Sequence, residues 1–215
     1  MNRKLLGPVG RVECIVMRLA LLLSFGIFSA SSVFAGPTEE LRPTMDAVVA
    51  VLVDPDLRGE ERRSQRRTVL MELAASRFDF EEMSKRVLGK VWRQISDEEK
   101  DHFVGIFTQL LENAYLGKIE NYSGEEIRFV DERVKENRAV VSTLFEHQGQ
   151  DIPIHYVMLL KEGRWLVYDI NIEGVSFVNN YRQQFTSILR REKFAGLVSQ
   201  IEKKNRLNAV GGEVQ

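Results

Sequence analysis

The sequence predicts an α+β domain: helices first, then four antiparallel strands, then helices again. Three observations carry this. From Pro37 to Tyr115 apolar residues recur at helical spacing. From Glu126 to Glu173 the period switches to two, with breaks at Glu136-Asn137, Gln148-Gly149 and Glu162-Gly163. After Ser176 helical spacing returns, through Val178, Tyr181, Phe185 and Ile188. Connections this short require antiparallel neighbours, because a parallel pair needs a crossover of about a dozen residues or more.

The N-terminus reads as an export signal over residues 1–35. Arg3, Lys4, Arg11 and Arg18 supply its charge, and Leu19 to Phe28 its apolar run. Val33-Phe34-Ala35 fits cleavage after Ala35, and Met17 is an alternative start. The apolar run falls short of the roughly 20 residues a membrane span needs. Cys14, the single cysteine, lies ahead of that run. The exported chain therefore has no thiol for disulfides, catalysis or metal binding. The signal holds four Lys/Arg and one acidic residue; of 30 basic and 31 acidic residues, 26 and 30 remain, a net charge of −4. That balance argues against a nucleic-acid partner. The expected organisation is a signal over 1–35, one domain over 36–205 and a flexible tail over 206–215.

In chain order, Leu41, Met45, Val48, Val49 and Leu52 form a helical stripe after Pro37 and Pro43, stopped by Asp54-Pro55. Arg58 to Arg67 is a charged stretch of mixed sign, read as a solvated helix face or as a basic patch for anionic head groups. Val69, Leu70, Leu73 and Ala74 carry that helix into the core, and Asp79 can cap a short helix ending near Gly89. Ser96 and Glu99 form a capping box. The helix they open carries Phe103, Ile106, Phe107, Leu110, Leu111, Ala114 and Tyr115, which serve a core or line a ligand space. Gly105 lies mid-helix, where a close approach by another element is one explanation.

Strands are expected at 126–135, 138–147, 151–161 and 164–173. Strict alternation puts Ile152, Ile154, Tyr156, Met158 and Leu160 on one face of the third. It puts Leu166, Tyr168, Ile170 and Ile172 on one face of the fourth. Glu173-Gly174 ends that strand and Ser176 can cap the next helix. Two helical segments follow, 176–191 and 193–204, with a break expected near Gly196. The apolar strand face and helix face then line one space.

Catalytic signals are weak. His102, His147 and His155 lack metal-ligand spacing, and there is no Gly-x-Ser-x-Gly elbow or phosphate-cradling glycine loop. Tyr168 and Asp169 are a conceivable acid–base pair, but adjacent strand residues point to opposite faces.

Two blocks resemble the MlaC, or toluene-tolerance, family. The first is Arg77-Phe78-Asp79-Phe80-Glu81-Glu82-Met83, with Val87-Leu88-Gly89 and Trp92-Arg93. The second is Tyr168-Asp169, Glu173-Gly174-Val175-Ser176, Asn180-Tyr181-Arg182 and Phe185, continuing through Leu189-Arg190-Arg191 and Phe194-Ala195-Gly196-Leu197. The resemblance spans roughly residues 38–204. It implies a curled nuclear-transport-factor-like or cystatin-like sheet with a helical subdomain, the open end of the cone suiting a deep pocket. It implies a periplasmic carrier of phospholipid, monomeric and not an enzyme, with no cofactor beyond the transported lipid. The implied partners are an inner-membrane ABC-type transporter complex and an outer-membrane lipoprotein–porin complex, which together maintain outer-membrane lipid asymmetry. A small periplasmic enzyme acting on an apolar substrate is the alternative.

The lipid-contacting residues expected on this basis are Phe103, Phe107, Leu111, Tyr115, Ile154, Tyr156, Met158, Leu166, Tyr168, Ile170, Val175 and Tyr181. Tyrosines such as Tyr156, Tyr168 and Tyr181 suit a pocket mouth, where one end is apolar and the other polar. The polar members of the second block read as structural, with Arg182 pairing to Asp169 or Glu173 at the strand-to-helix corner.

Overall fold

A computed structural model of the chain describes residues 35–210, apart from 121, 123 and 148. The expected export signal, save Ala35 at its end, lies outside the described residues.

Helix α1 (Pro37–Val53) starts with Pro at its first position, where a missing N–H costs nothing. It runs through Pro43 and stops at Asp54, which precedes a proline and is held extended. Two single 3₁₀ turns, Pro55–Leu57 and Glu60–Arg62, lead into α2 (Arg63–Arg77). Helix α3 (Phe80–Leu88) is capped by Asp79, whose carboxylate accepts from the Glu82 N–H at 2.9 Å, and ends at Gly89 with φ 58°. A 3₁₀ turn, Val91–Arg93, precedes α4 (Asp97–Ile119). The capping box of α4 is complete: Ser96 Oγ accepts from Glu99 N at 3.1 Å, and Glu99 Oε2 accepts from Ser96 N at 2.8 Å. Gly105 has open space around it, so no element approaches closely there.

Strands β1 (Ile127–Lys135), β2 (Arg138–His147), β3 (Gln150–Lys161) and β4 (Arg164–Ile172) form an antiparallel meander. A fifth strand, β5 (Val175–Ser176), adds two residues beside β4, so the sheet has five strands rather than four. Helix α5 (Phe177–Val210) follows and extends beyond 204, where the sequence pattern faded. Its break falls at Lys193 (φ 62°), at the junction of the two expected segments and three residues before Gly196. Gly196 has a different task. A Cβ placed there would lie 2.3 Å from Glu192 Cβ, so the missing side chain makes room for the kink.

The strict alternation expected for β4 fails at one residue. Met158 pairs with Val167 and Val157 with Asp169, leaving Tyr168 as a β-bulge. The bulge reverses the faces beyond it. Val167 and Ile170 then lie on the same side, with Trp165, Tyr156 and Met158. Leu166 and Tyr168 point to the other side. The four residues expected on one face are divided between two.

Three apolar clusters result. On one face of the sheet, α1 brings Leu41 onto Val141, Tyr156, Met158, Trp165 and Val167. Beyond β4 on the other face, α3, α4 and α5 enclose Met83, Val87, Trp92, Phe103, Phe107, Tyr168, Tyr181 and Phe185. A small third cluster joins Leu52, Leu70 and Leu116 from α1, α2 and α4.

Most of the charged stretch over 58–67 is exposed, as a solvated face would be, but Arg63, Arg66 and Arg67 are partly buried in ion pairs. Arg66 Nη2 reaches Glu120 at 2.8 Å and Arg67 Nη2 reaches Glu112 at 3.2 Å, tying α2 to α4. Arg63 joins Glu120 at 3.5 Å and Glu60 at 2.9 Å, and these carboxylates raise the pKa of its guanidinium, chiefly through the Glu60 hydrogen bond. Partners four dozen residues or so away in sequence are invisible to a local reading of charge.

Candidate functional site

Both motif blocks converge on one corner of the fold. Phe78 bridges Val167 through the backbone, and the Asp79 N–H donates to the Val167 carbonyl at 2.8 Å. Asp79, 7% exposed, also receives Lys161 Nζ at 3.1 Å, a bond that raises the lysine pKa. The Arg86 guanidinium lies 3.8 Å over the Tyr168 ring. Arg182 lies over Gly89, where a Cβ would sit 3.4 Å from Nη2. These residue types are needed for capping, stacking and close approach.

Asp169 has a structural task that differs from the expected one. The bulge turns it toward α5, where Oδ1 accepts from the Val178 N–H at 3.0 Å and Oδ2 from the Ser176 hydroxyl at 2.5 Å. Ser176 in turn accepts from the Asn179 N–H at 3.0 Å. Asp169 is thus committed to the start of α5, where a negative charge also suits the helix dipole. Arg182 is exposed and makes no ion pair with Asp169, Glu173 or any other of the described residues.

The twelve expected contact residues do not form one wall. Phe103, Phe107, Leu111, Tyr168 and Tyr181 belong to the helical cluster, with Tyr115 packed against it. Phe107 stacks on Phe103 at 5.8 Å and meets Tyr181 and Phe185 edge-on at 5.3 and 5.9 Å. Tyr115 stacks on Phe177 at 4.2 Å. Burial raises the pKa of the Tyr115 and Tyr181 hydroxyls, which hydrogen-bond each other. Tyr156 and Met158 lie across the sheet in the α1 cluster, with Ile154 and Ile170 packed against it. Tyr156 is deeply buried, hydrogen-bonds Thr143, and has its pKa pushed up to about 12, chiefly by desolvation. Leu166 is half-buried opposite Leu159. Val175 is 57% exposed on β5.

The α1 side carries a further pattern that motif reading missed. Leu41 is fully buried in the sheet cluster and Leu52 in the α1–α2–α4 cluster. Between them Met45 and Val48 are only half-buried. On the sheet, Phe129, Ile154 and Ile170 are half-buried as well. Met45, Phe129, Ile154 and Ile170 pack against the sheet cluster and Val48 against the third, each leaving part of its apolar surface uncovered. Near the start of α1, Glu40 pairs with Arg77 and accepts from the Trp165 N–H at 3.1 Å. Arg77 also donates to the Trp165 carbonyl at 2.9 Å.

The histidines lie apart. His102 contacts Glu202 at 2.9 Å, His155 contacts Ser142 at 2.9 Å, and His147 lies 3.6 Å from Glu125. Among the described residues no group of three His, Cys, Asp or Glu is placed to hold a metal ion.

The fold is a curled antiparallel sheet with helices on both faces and half-buried apolar side chains where α1 meets the sheet. The MlaC protein family matches residues 42–203, and this chain belongs to that family. It is similar to the intermembrane phospholipid transport system binding protein MlaC of Haemophilus influenzae: 22% identical over 143 residues, covering 64% of this chain and 67% of that one. It is also similar to the phospholipid-binding protein from Ralstonia solanacearum, solved in complex with a phospholipid. That likeness has a TM-score of 0.74 at 25% identity, over 81% of this chain and 99% of the other.

Proposed function

We propose that this protein is a periplasmic carrier that binds phospholipid by its acyl chains and shuttles it between the outer and inner membranes. Membership of the family carries the reading, and the half-buried apolar residues under α1 support it. Each methylene exposed to water costs about 0.8 kcal/mol, so two long chains make unassisted crossing very slow. An apolar slot comparable to the bilayer interior removes that barrier while keeping loading and unloading nearly balanced. The head group stays at the mouth, because stripping its water is expensive.

In this reading an apolar slot opens where α1 meets the sheet, and the chains lie against Ile154 and Ile170, opposite Met45 and Val48, with the buried Tyr156 and Met158 uncovered as the slot fills. Phe103, Phe107, Leu111 and Tyr181 hold the supporting helices in place. The partners are a transporter complex of the inner membrane and a lipoprotein–porin complex of the outer membrane. The chain performs no covalent chemistry on the lipid.

Native mass spectrometry on protein recovered from its own periplasm tests this. The expected spectrum shows the chain beginning at Gly36 plus the mass of one or more diacyl lipids. A bare chain that turns over a small ester or ketone would refute the carrier.

A further inference from the structure

Helix α5 carries a second, polar feature outside the slot. From Phe177 to Arg191 it contains three arginines and no acidic residue, in a chain whose exported part is net negative. Asn179, Arg182, Gln183, Thr186, Ser187 and Arg190 line a groove of about 380 Å³ along this helix. It covers roughly 16 Å, three turns at 1.5 Å per residue. Arg182 and Arg190 are exposed, and neither makes an ion pair among the described residues. The end of α3 lies close by: Arg182 lies over Gly89, and the next residue, Lys90, is exposed and unpaired among the described residues.

The nearby acids are occupied. Glu82 holds Lys85 and Arg86, and Glu81 and Asp79 hold Lys161. Glu192 accepts from Gln200. Among the described residues no carboxylate pairs with Arg182, Arg190 or Lys90.

We propose that this face docks the protein on an anionic bilayer, with Arg182, Arg190 and Lys90 meeting lipid phosphates. One observation favours a lipid surface over a protein partner. A stable protein interface is built round apolar or aromatic anchors. The exposed large apolar residues, Val53, Ile119, Val130, Val134, Val175 and Leu207, all lie outside the groove. A bilayer instead offers phosphates at many spacings and asks only for charge, each cation near it strengthening binding several-fold. The face is independent of the apolar slot.

Vesicle co-sedimentation of protein recovered from its export compartment tests the assignment. Vesicles of phosphatidylglycerol with phosphatidylcholine should bind at low salt, and pure phosphatidylcholine should not. Binding should fall at least tenfold in about 0.5 M salt, where screening reaches only a few ångströms. R182E/R190E should lose at least tenfold with an unchanged circular dichroism spectrum, whereas R182K/R190K should keep binding. K90E/R190E gives the same readout without touching the Arg182–Gly89 contact. I170D, aimed at the slot, should leave vesicle binding intact, separating failure here from failure of the carrier reading. Equal binding to both vesicle types overturns the proposal. So does full vesicle binding by either charge-reversed variant, or binding to an acidic protein with none to anionic vesicles.

Discussion

Tyr168 and Ile170 are two residues apart on β4, and they face different worlds. Tyr168 sits among close-packed rings and helices, 8% exposed, under the Arg86 guanidinium. Ile170 stays half-buried on the α1 side, beside Ile154 and Met45. The bulge at Tyr168 sends the first into the helical core and leaves the second on the α1 side of the sheet. A protein that must hold and release a ligand needs both: a rigid scaffold that does not depend on the ligand, and a surface left incomplete without it.

The largest blow to the closed side is Phe107→Ala. Phe107 is fully buried against Phe103, Tyr181 and Phe185, so the loss should be about 3–5 kcal/mol in denaturant unfolding. Lipid per folded molecule should not change; a large drop would move Phe107 into the binding wall.

Alkaline pH probes the same closed packing. The Tyr156 pKa is raised to about 12 from an ordinary 10.0. A raised folded-state pKa gives stability that is complete below pH 10 and lost as pH climbs through 12. Two units correspond to about 3 kcal/mol. Tyr115 and Tyr181 shift in the same direction. Tyrosine absorbance near 295 nm should show delayed ionisation coincident with unfolding; independent ionisation near pH 10 by all five tyrosines contradicts it.

The bulge itself is tested by Asp169. Removing its two acceptor bonds at the start of α5 should cost about 1–2 kcal/mol in Asp169→Ala. Arg182→Ala should stay within about 0.5 kcal/mol of the parent, as an exposed unpaired arginine does. The reverse order of melting temperatures would restore the pairing expected from sequence.

The smallest effect expected of a core-side residue is at Ile170. Ile170→Ala should cost about 1 kcal/mol, below the range for a closed core, because the side chain is only half-buried. Its retained lipid should nevertheless fall several-fold by native mass spectrometry. Unchanged lipid with a 3 kcal/mol loss would mean that Ile170 belongs to the closed side.

Much of this was legible from residues alone. Strand ends fell within a residue of their observed positions, because Glu-Asn and Glu-Gly turns are local events. The caps at Asp79, Ser96 and Ser176 were equally local. The site was less legible. Four residues given to one face of β4 ended on two, since alternation holds only while every residue is paired across the ladder.

Sequence by itself settled which long segments are helix and which are strand, where the four long strands stop, and which family the chain resembles. Each depends on contacts between residues a few positions apart. Tertiary structure alone decided that Tyr168 bulges, that Asp169 caps α5 instead of pairing with Arg182, and that Arg66 and Arg67 reach across to α4. It also decided that Lys193 rather than Gly196 takes the left-handed turn, and that Met45, Ile154 and Ile170 stay half-buried. In every case the partner is distant in sequence or the outcome depends on how two elements fit. Side-chain type fixes what a residue prefers, but only packing fixes which neighbour is there to satisfy it.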